Sequence, residues 1–269
     1  MSFYPLFDIL DNSGFVNLPN FSPNNWEKTQ IGSKLVHAIS ANESLWESRS
    51  AGSIQQDTFR RFLTSDFAKI NCTEHEDGFV SDVVLLHLGG QEDLTGNFKE
   101  LPQSLLSQTH WPEWRATIGF ENAISKVSYQ GEINPFPPVA SLLTFHPFIQ
   151  FESVNNYFVF LNIEKSPKYR WTEIEIYLSG SAKKIGTHKI RNNSANIIPL
   201  DKYGFLPQDL PVFISKNMAG IPFGYGVDIN SGMLSLEHTH PPASFTLHGN
   251  RISSQKSIKM NWAKFLNCH

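Results

Sequence analysis

From residue 139 onward, short runs of branched and aromatic residues recur about every ten positions, each closed by a turn signal. They read SLLTFHPFIQF, YFVFLNIE, TEIEIYLSG, KKIGTHKI, ANIIPL, LPVFIS, YGVDI, MLSLEHTH and SFTLHG. Runs this short give a helix too few turns to bury a face, whereas antiparallel strands in two layers can cover both sides of one core. The clearest is TEIEIYL, in which Ile174, Ile176 and Leu178 point one way and Glu173, Glu175 and Tyr177 the other. SGSAK then supplies a turn and KKIGTHKI the second arm of a hairpin. The spacing predicts an antiparallel β-sandwich over 139–269, with no helix required. It lacks the paired Cys and intervening Trp that mark an immunoglobulin domain.

The first half reads differently. Pro5, Pro19 and Pro23, scattered among Phe and Asn, suggest an irregular aromatic-rich arm over the first thirty residues. From about Ile31 to Ile70 the pattern turns helical: in DTFRRFLTSDFAKI, the three- and four-residue spacing of Phe59, Phe62, Leu63, Phe67 and Ile70 predicts a helix capped by Asp57, with Arg60, Arg61, Asp66 and Lys69 outside its apolar stripe. FVSDVVLLHL, residues 79–88, predicts one buried strand, and AISKVSYQGEI two more. The proline run INPFPP at 133–138 marks a stiff connector. The expected fold is therefore mainly β, with a mixed α+β unit over 1–132 ahead of the sandwich.

Composition narrows the function classes. With 22 basic against 25 acidic residues and a net charge of −3, the chain has no broad positive field for a phosphate backbone, so nucleic acid is not the expected partner. No stretch approaches the ~18 apolar residues that span a bilayer, which argues against membrane insertion. MSFYPLFDILDNSGF is interrupted by Pro5, Asp8 and Asp11 and does not read as a secretory signal. Cys72 and Cys268 stand far apart without CxxC spacing, so neither a disulfide framework nor a thiolate zinc site is expected. A cytoplasmic protein is the expectation.

Three stretches carry candidate chemistry. In MLSLEHTHPPASFTLHG, His238 and His240 share one face of a strand, about 6 to 7 Å apart, and could hold a divalent ion such as zinc. The same geometry turns Glu237 away unless a bulge intervenes, and the position of His248 depends on the corner made by Pro241-Pro242. The plainer reading continues the core face of Leu234 and Leu236 into a polar strand end. In HWPEWR, Trp111, Trp114 and Arg115 could stack on a sugar or peptide and hold its carboxylate, or plug a seam inside the protein. His146, in LLTFHPF, reads as a hydrogen-bonded strand histidine. EHEDG and QEDLTGN lack calcium-loop spacing, AGIPFGYG lacks the context of a dinucleotide site, and there is no GxSxG or SxxK. Two functions follow: a non-enzymatic recognition or assembly protein binding a protein or glycan partner, and a metal-dependent, hydrolase-type enzyme built on His238 and His240.

Overall fold

A computed structural model gives the fold and describes residues 3–21, 32–67, 70–76, 78–89, 94–101, 116–138, 140–146, 152–206, 209–238, 257 and 260–266. Before the proline run the strands are β1 (Tyr4–Leu6), β2 (Ser13–Asn20), β3 (Lys34–Ala41), β4 (Trp46–Ile54), β5 (Thr58–Leu63), β6 (Cys72–His75), β7 (Gly78–Asp82), β8 (Val84–Leu88), β9 (Gly96–Phe98), β10 (Thr117–Glu121) and β11 (Lys126–Gln130). After it come β12 (Leu142–Phe145), β13 (Val154–Asn162), β14 (Trp171–Leu178), β15 (Lys183–Arg191), β16 (Ser194–Pro199), β17 (Pro211–Ser215), β18 (Ile221–Asp228) and β19 (Leu234–His238). They form four sheets, ordered β1-β8-β3-β4-β9, β11-β10-β2-β5, β12-β17-β14-β15 and β19-β18-β13-β16-β7-β6. The fold is mainly β and antiparallel. Among the described residues no helix is long and apolar enough to cross a membrane.

Side-chain alternation explains how the sheets are joined. Val36, Ile54, Val84 and Leu86 of the first sheet share one apolar cluster with Val16, Leu18, Phe62 and Ile118 of the second. Leu142, Ile174, Ile176, Ile190 and Phe213 of the third share another with Phe158, Phe160 and Ile198 of the fourth. Phe158 and Phe213 lie face to face there, 3.7 Å between ring centroids. The opposite face of the fourth sheet, carrying Val159, Leu161, Ile197, Ile221 and Phe223, meets Ile39, Trp46, Leu85 and Phe120 from the other half. Burial on both faces is why YFVFLN reads as a continuous apolar run rather than an alternating one. Each large side chain buried this way contributes about 1.5–3 kcal/mol. One sheet thus draws strands from both sides of the proline run, because β7 pairs with β16.

The hairpin of β14 and β15 follows the alternation in the sequence, with a register shift at Ile176/Tyr177. Four features differ from the sequence reading. Residues 34–41, 46–54 and 58–63, expected to be helical, form β3, β4 and β5, the last leading into a single 3-10 turn at Thr64–Asp66. The expected arm contains β1 and β2, whose Val16 and Leu18 are fully buried. The 79–88 run is two strands in different sheets, β7 and β8, parted at Val83. Residues 260–265 are helical, and Trp262 packs edge-on against Phe145, 4.7 Å between ring centroids.

Close strand packing at one glycine gives a prediction. A Cβ at Gly119 of β10 would overlap the Val127 carbonyl oxygen and the Phe15 ring. Because the first obstacle is backbone, it cannot rotate away. Gly119→Ala is therefore expected to cost about 1–3 kcal/mol in urea unfolding, and a change within a few tenths would show that the β10–β11 pair can part freely.

Candidate functional site

A cleft of about 730 Å3 opens between the first and second sheets. That volume lies within the range of small-ligand pockets, roughly 300–1,000 Å3. Its floor is apolar: Phe62 and Val84 belong to the shared core, and Ala38, Ala51 and Phe67 pack against it. Arg49 pairs in register with Ala38, which turns its side chain to the same face of the sheet. Arg60 lies two residues before Phe62 on β5 and so shares its face. Ser40, Ser50, Arg61 and Asp66 also line the cleft.

Local sequence builds this arrangement. Asp57 adopts a left-handed φ of 58° at the turn between β4 and β5, and its N–H reaches the Asn20 carbonyl at 2.7 Å. Beyond Leu63, the Asp66 carboxylate turns back to accept the Leu63 N–H at 2.9 Å. Arg60 holds its guanidinium 4.8 Å from the centroid of the Phe62 ring, a cation–π contact. Gly52, at a φ of 96°, lies against that guanidinium, where any Cβ would displace it.

The charges differ in how fully they are spent. Arg61 lines the cleft, but its guanidinium turns to the other side, over the Phe15 ring and paired to Glu121 at 2.6 Å. Burial raises the Glu121 pKa, but hydrogen bonds and charges from Lys126 and Arg61 outweigh it and hold the carboxyl below its ordinary value. Arg49 pairs with Glu47 at 3.1 Å in an exposed setting, where such pairs contribute little. Among the described residues, Arg60 has no carboxylate within ion-pair distance. The cleft therefore offers an anion one guanidinium held over an aromatic ring and a second held only loosely, above an apolar floor.

The sequence-selected residues lie elsewhere. His238 is described: it ends β19, stacks on Tyr129 at 4.4 Å between centroids and tilts against Phe223 at 5.3 Å. Glu237 is exposed and pairs in register with Gly224. His240, His248, Trp111, Trp114 and Arg115 lie outside the described residues. Among the described residues no group of three or more His, Cys, Asp or Glu is placed to hold a metal ion.

His146 departs from its expected hydrogen-bonded state. It is fully buried, its ring edge-on to Phe158, and among the described residues neither ring nitrogen has a hydrogen-bond partner. Burial lowers its pKa to about 4.

A second surface feature sits at two adjoining turns. Asn122 donates to the Gly232 carbonyl at 2.9 Å, and the Leu234 N–H reaches the Ser125 hydroxyl at 3.2 Å. Around them Ile124, Ile229 and Met233 are each about 60% or more exposed.

No family model, no curated protein and no solved structure matches this chain. The cleft escapes a linear reading because Arg49, Arg60 and Val84 come from three strands in two sheets. The one local signal was RRF beside a Gly-Ser-rich strand, SRSAGS, and it became legible only once β5 replaced the expected helix.

Proposed function

We propose that this chain is a non-enzymatic recognition or assembly protein that binds a protein or glycan partner, and that the arginine-rimmed cleft receives an anionic group of that partner. The observation that carries this reading is Arg60, a guanidinium with no carboxylate partner among the described residues, held over Phe62 at the wall of a ligand-sized cleft. Guanidinium groups suit carboxylates and sulfates because their N–H fork matches two oxygens at once. Exposed aromatic surface, with Phe59 at 65% and Trp171 at 43%, supports contact beyond the anion. The reading takes the third and fourth sheets as the two layers of a sandwich, a view supported by their shared core. It also places the chain in the cytoplasm, with which the free Cys72 thiol is compatible.

The test is fluorescence anisotropy with two labelled acidic probes, an oligogalacturonate and a decapeptide of alternating Glu and Val. Binding of either by the wild type, weakened about 10- to 100-fold in Arg60→Ala, is the expected result, since charge-assisted hydrogen bonds contribute about 1.5–3 kcal/mol. Equal binding by wild type and variant would remove the cleft from the account.

A further inference from the structure

The free edge of β5 points to how the partner is held. We infer that the recognised element is an extended acidic peptide segment that adds a strand to β5, placing alternate carboxylates against Arg60 and Arg49. This rests on the cleft reading above and names its partner class.

Among the described residues, β5 is the outermost strand of its sheet and pairs only with β2. The phase of that ladder follows from two residues. The Leu63 N–H goes to Asp66 and not to Phe15, its register partner. Phe59 lies opposite Pro19, which has no N–H to give. Leu63, Arg61 and Phe59 therefore occupy the non-hydrogen-bonded positions, with their backbone groups turned away from β2. At Leu63 the outward N–H is already taken by Asp66. At Phe59 and Arg61 the outward N–H and C=O groups are open among the described residues, and they sit two residues apart, the spacing an added antiparallel strand needs.

Charge selects the strand. A second copy of β5 laid antiparallel would set Arg60 and Arg61 against arginines, which is destabilising. The charges that discourage self-pairing complement an acidic segment, whose inward side chains would lie on the face of Arg60 and Phe62 over the cleft. Phe59, on the outer face and 65% exposed, is placed to cover the alternate, apolar residues of that segment.

The test uses the fluorescein-labelled Glu-Val decapeptide, the same peptide N-methylated at alternate residues, and the labelled oligogalacturonate, each against the full chain. Saturable binding of the decapeptide, abolished by N-methylation and weakened about fivefold in Phe59→Pro, is the expected outcome, because each removes outward hydrogen bonds. The N-methylated peptide against wild type gives the answer even where Phe59→Pro fails to fold. Equal binding of the two peptides overturns strand addition. Should oligogalacturonate bind through Arg60 while the decapeptide does not, the peptide inference falls and the cleft reading stands. If neither binds, both fall.

Discussion

Arg170→Ala is expected to lose about 3–5 kcal/mol of folding stability, measured by urea unfolding. Glu164, its partner, has a side chain only 5% exposed. The Arg170 Nε donates to both carboxylate oxygens, at 3.0 and 3.1 Å, and one terminal nitrogen adds a close bond to the first. Without that guanidinium the carboxylate keeps the Asn192 amide, at 3.0 Å, as its side-chain donor. A buried charge so poorly compensated is costly. The reverse deletion is milder. In Glu164→Ala, the guanidinium is about a third exposed and still reaches the carbonyls of Pro138 and Asn217, at 2.9 and 2.8 Å, so about half the loss is expected. Equal, small losses in the two variants would mean that the pair is not a structural pin. The bond to Pro138 matters because it ties the proline run to the loop after β13.

A second large effect should appear with acid. The ordinary histidine pKa of 6.5 belongs to the unfolded chain, whereas folded His146 stays neutral until about 4. Its contribution is fully present above pH 6.5. As pH falls the unfolded state takes up the proton first, so stability declines by about 1.4 kcal/mol per pH unit and levels off near 4, roughly 3 kcal/mol lower. Glu121 and Glu175 act in the same direction but lower in pH. In both, burial raises the pKa and is outweighed by hydrogen bonds and cations, so their contribution is lost only as pH falls below about 4.5. The window between 6.5 and 4.5 separates the imidazole from these two carboxylates. His146→Leu, which also removes the two unpartnered nitrogens, is expected to flatten the profile there; an unchanged slope would assign the acid sensitivity to another group.

These two sites show where sequence reasoning stops. The β14–β15 hairpin was legible because one face of TEIEIYL is core, with Ile174 and Ile176 fully buried. DTFRRFLTSDFAKI misled because its apolar residues satisfy two periods. Phe62 is core, but Phe59 is exposed at a sheet edge, and Phe67 returns only after the 3-10 turn, so three-residue steps arose without a helix. Pro19 suits an irregular arm, yet it also suits β2, because its missing N–H falls opposite Phe59 at a position that needs no bond to β5. The buried state of His146 and the Glu164–Arg170 pair depend on which sheets meet, which local pattern does not encode. The same holds for the cleft: its arginines were visible as residues but not as neighbours.

The most direct measurement of the recognition reading is a 15N–1H chemical-shift titration of the full chain with the Glu-Val decapeptide. Saturating shifts concentrated at Ser40, Arg49, Phe67 and the backbone amides of Phe59 to Phe62 are the expected result. Shifts centred instead on Ile124, Ile229 and Met233 at the adjoining turns, with the β5 amides unmoved, would contradict it.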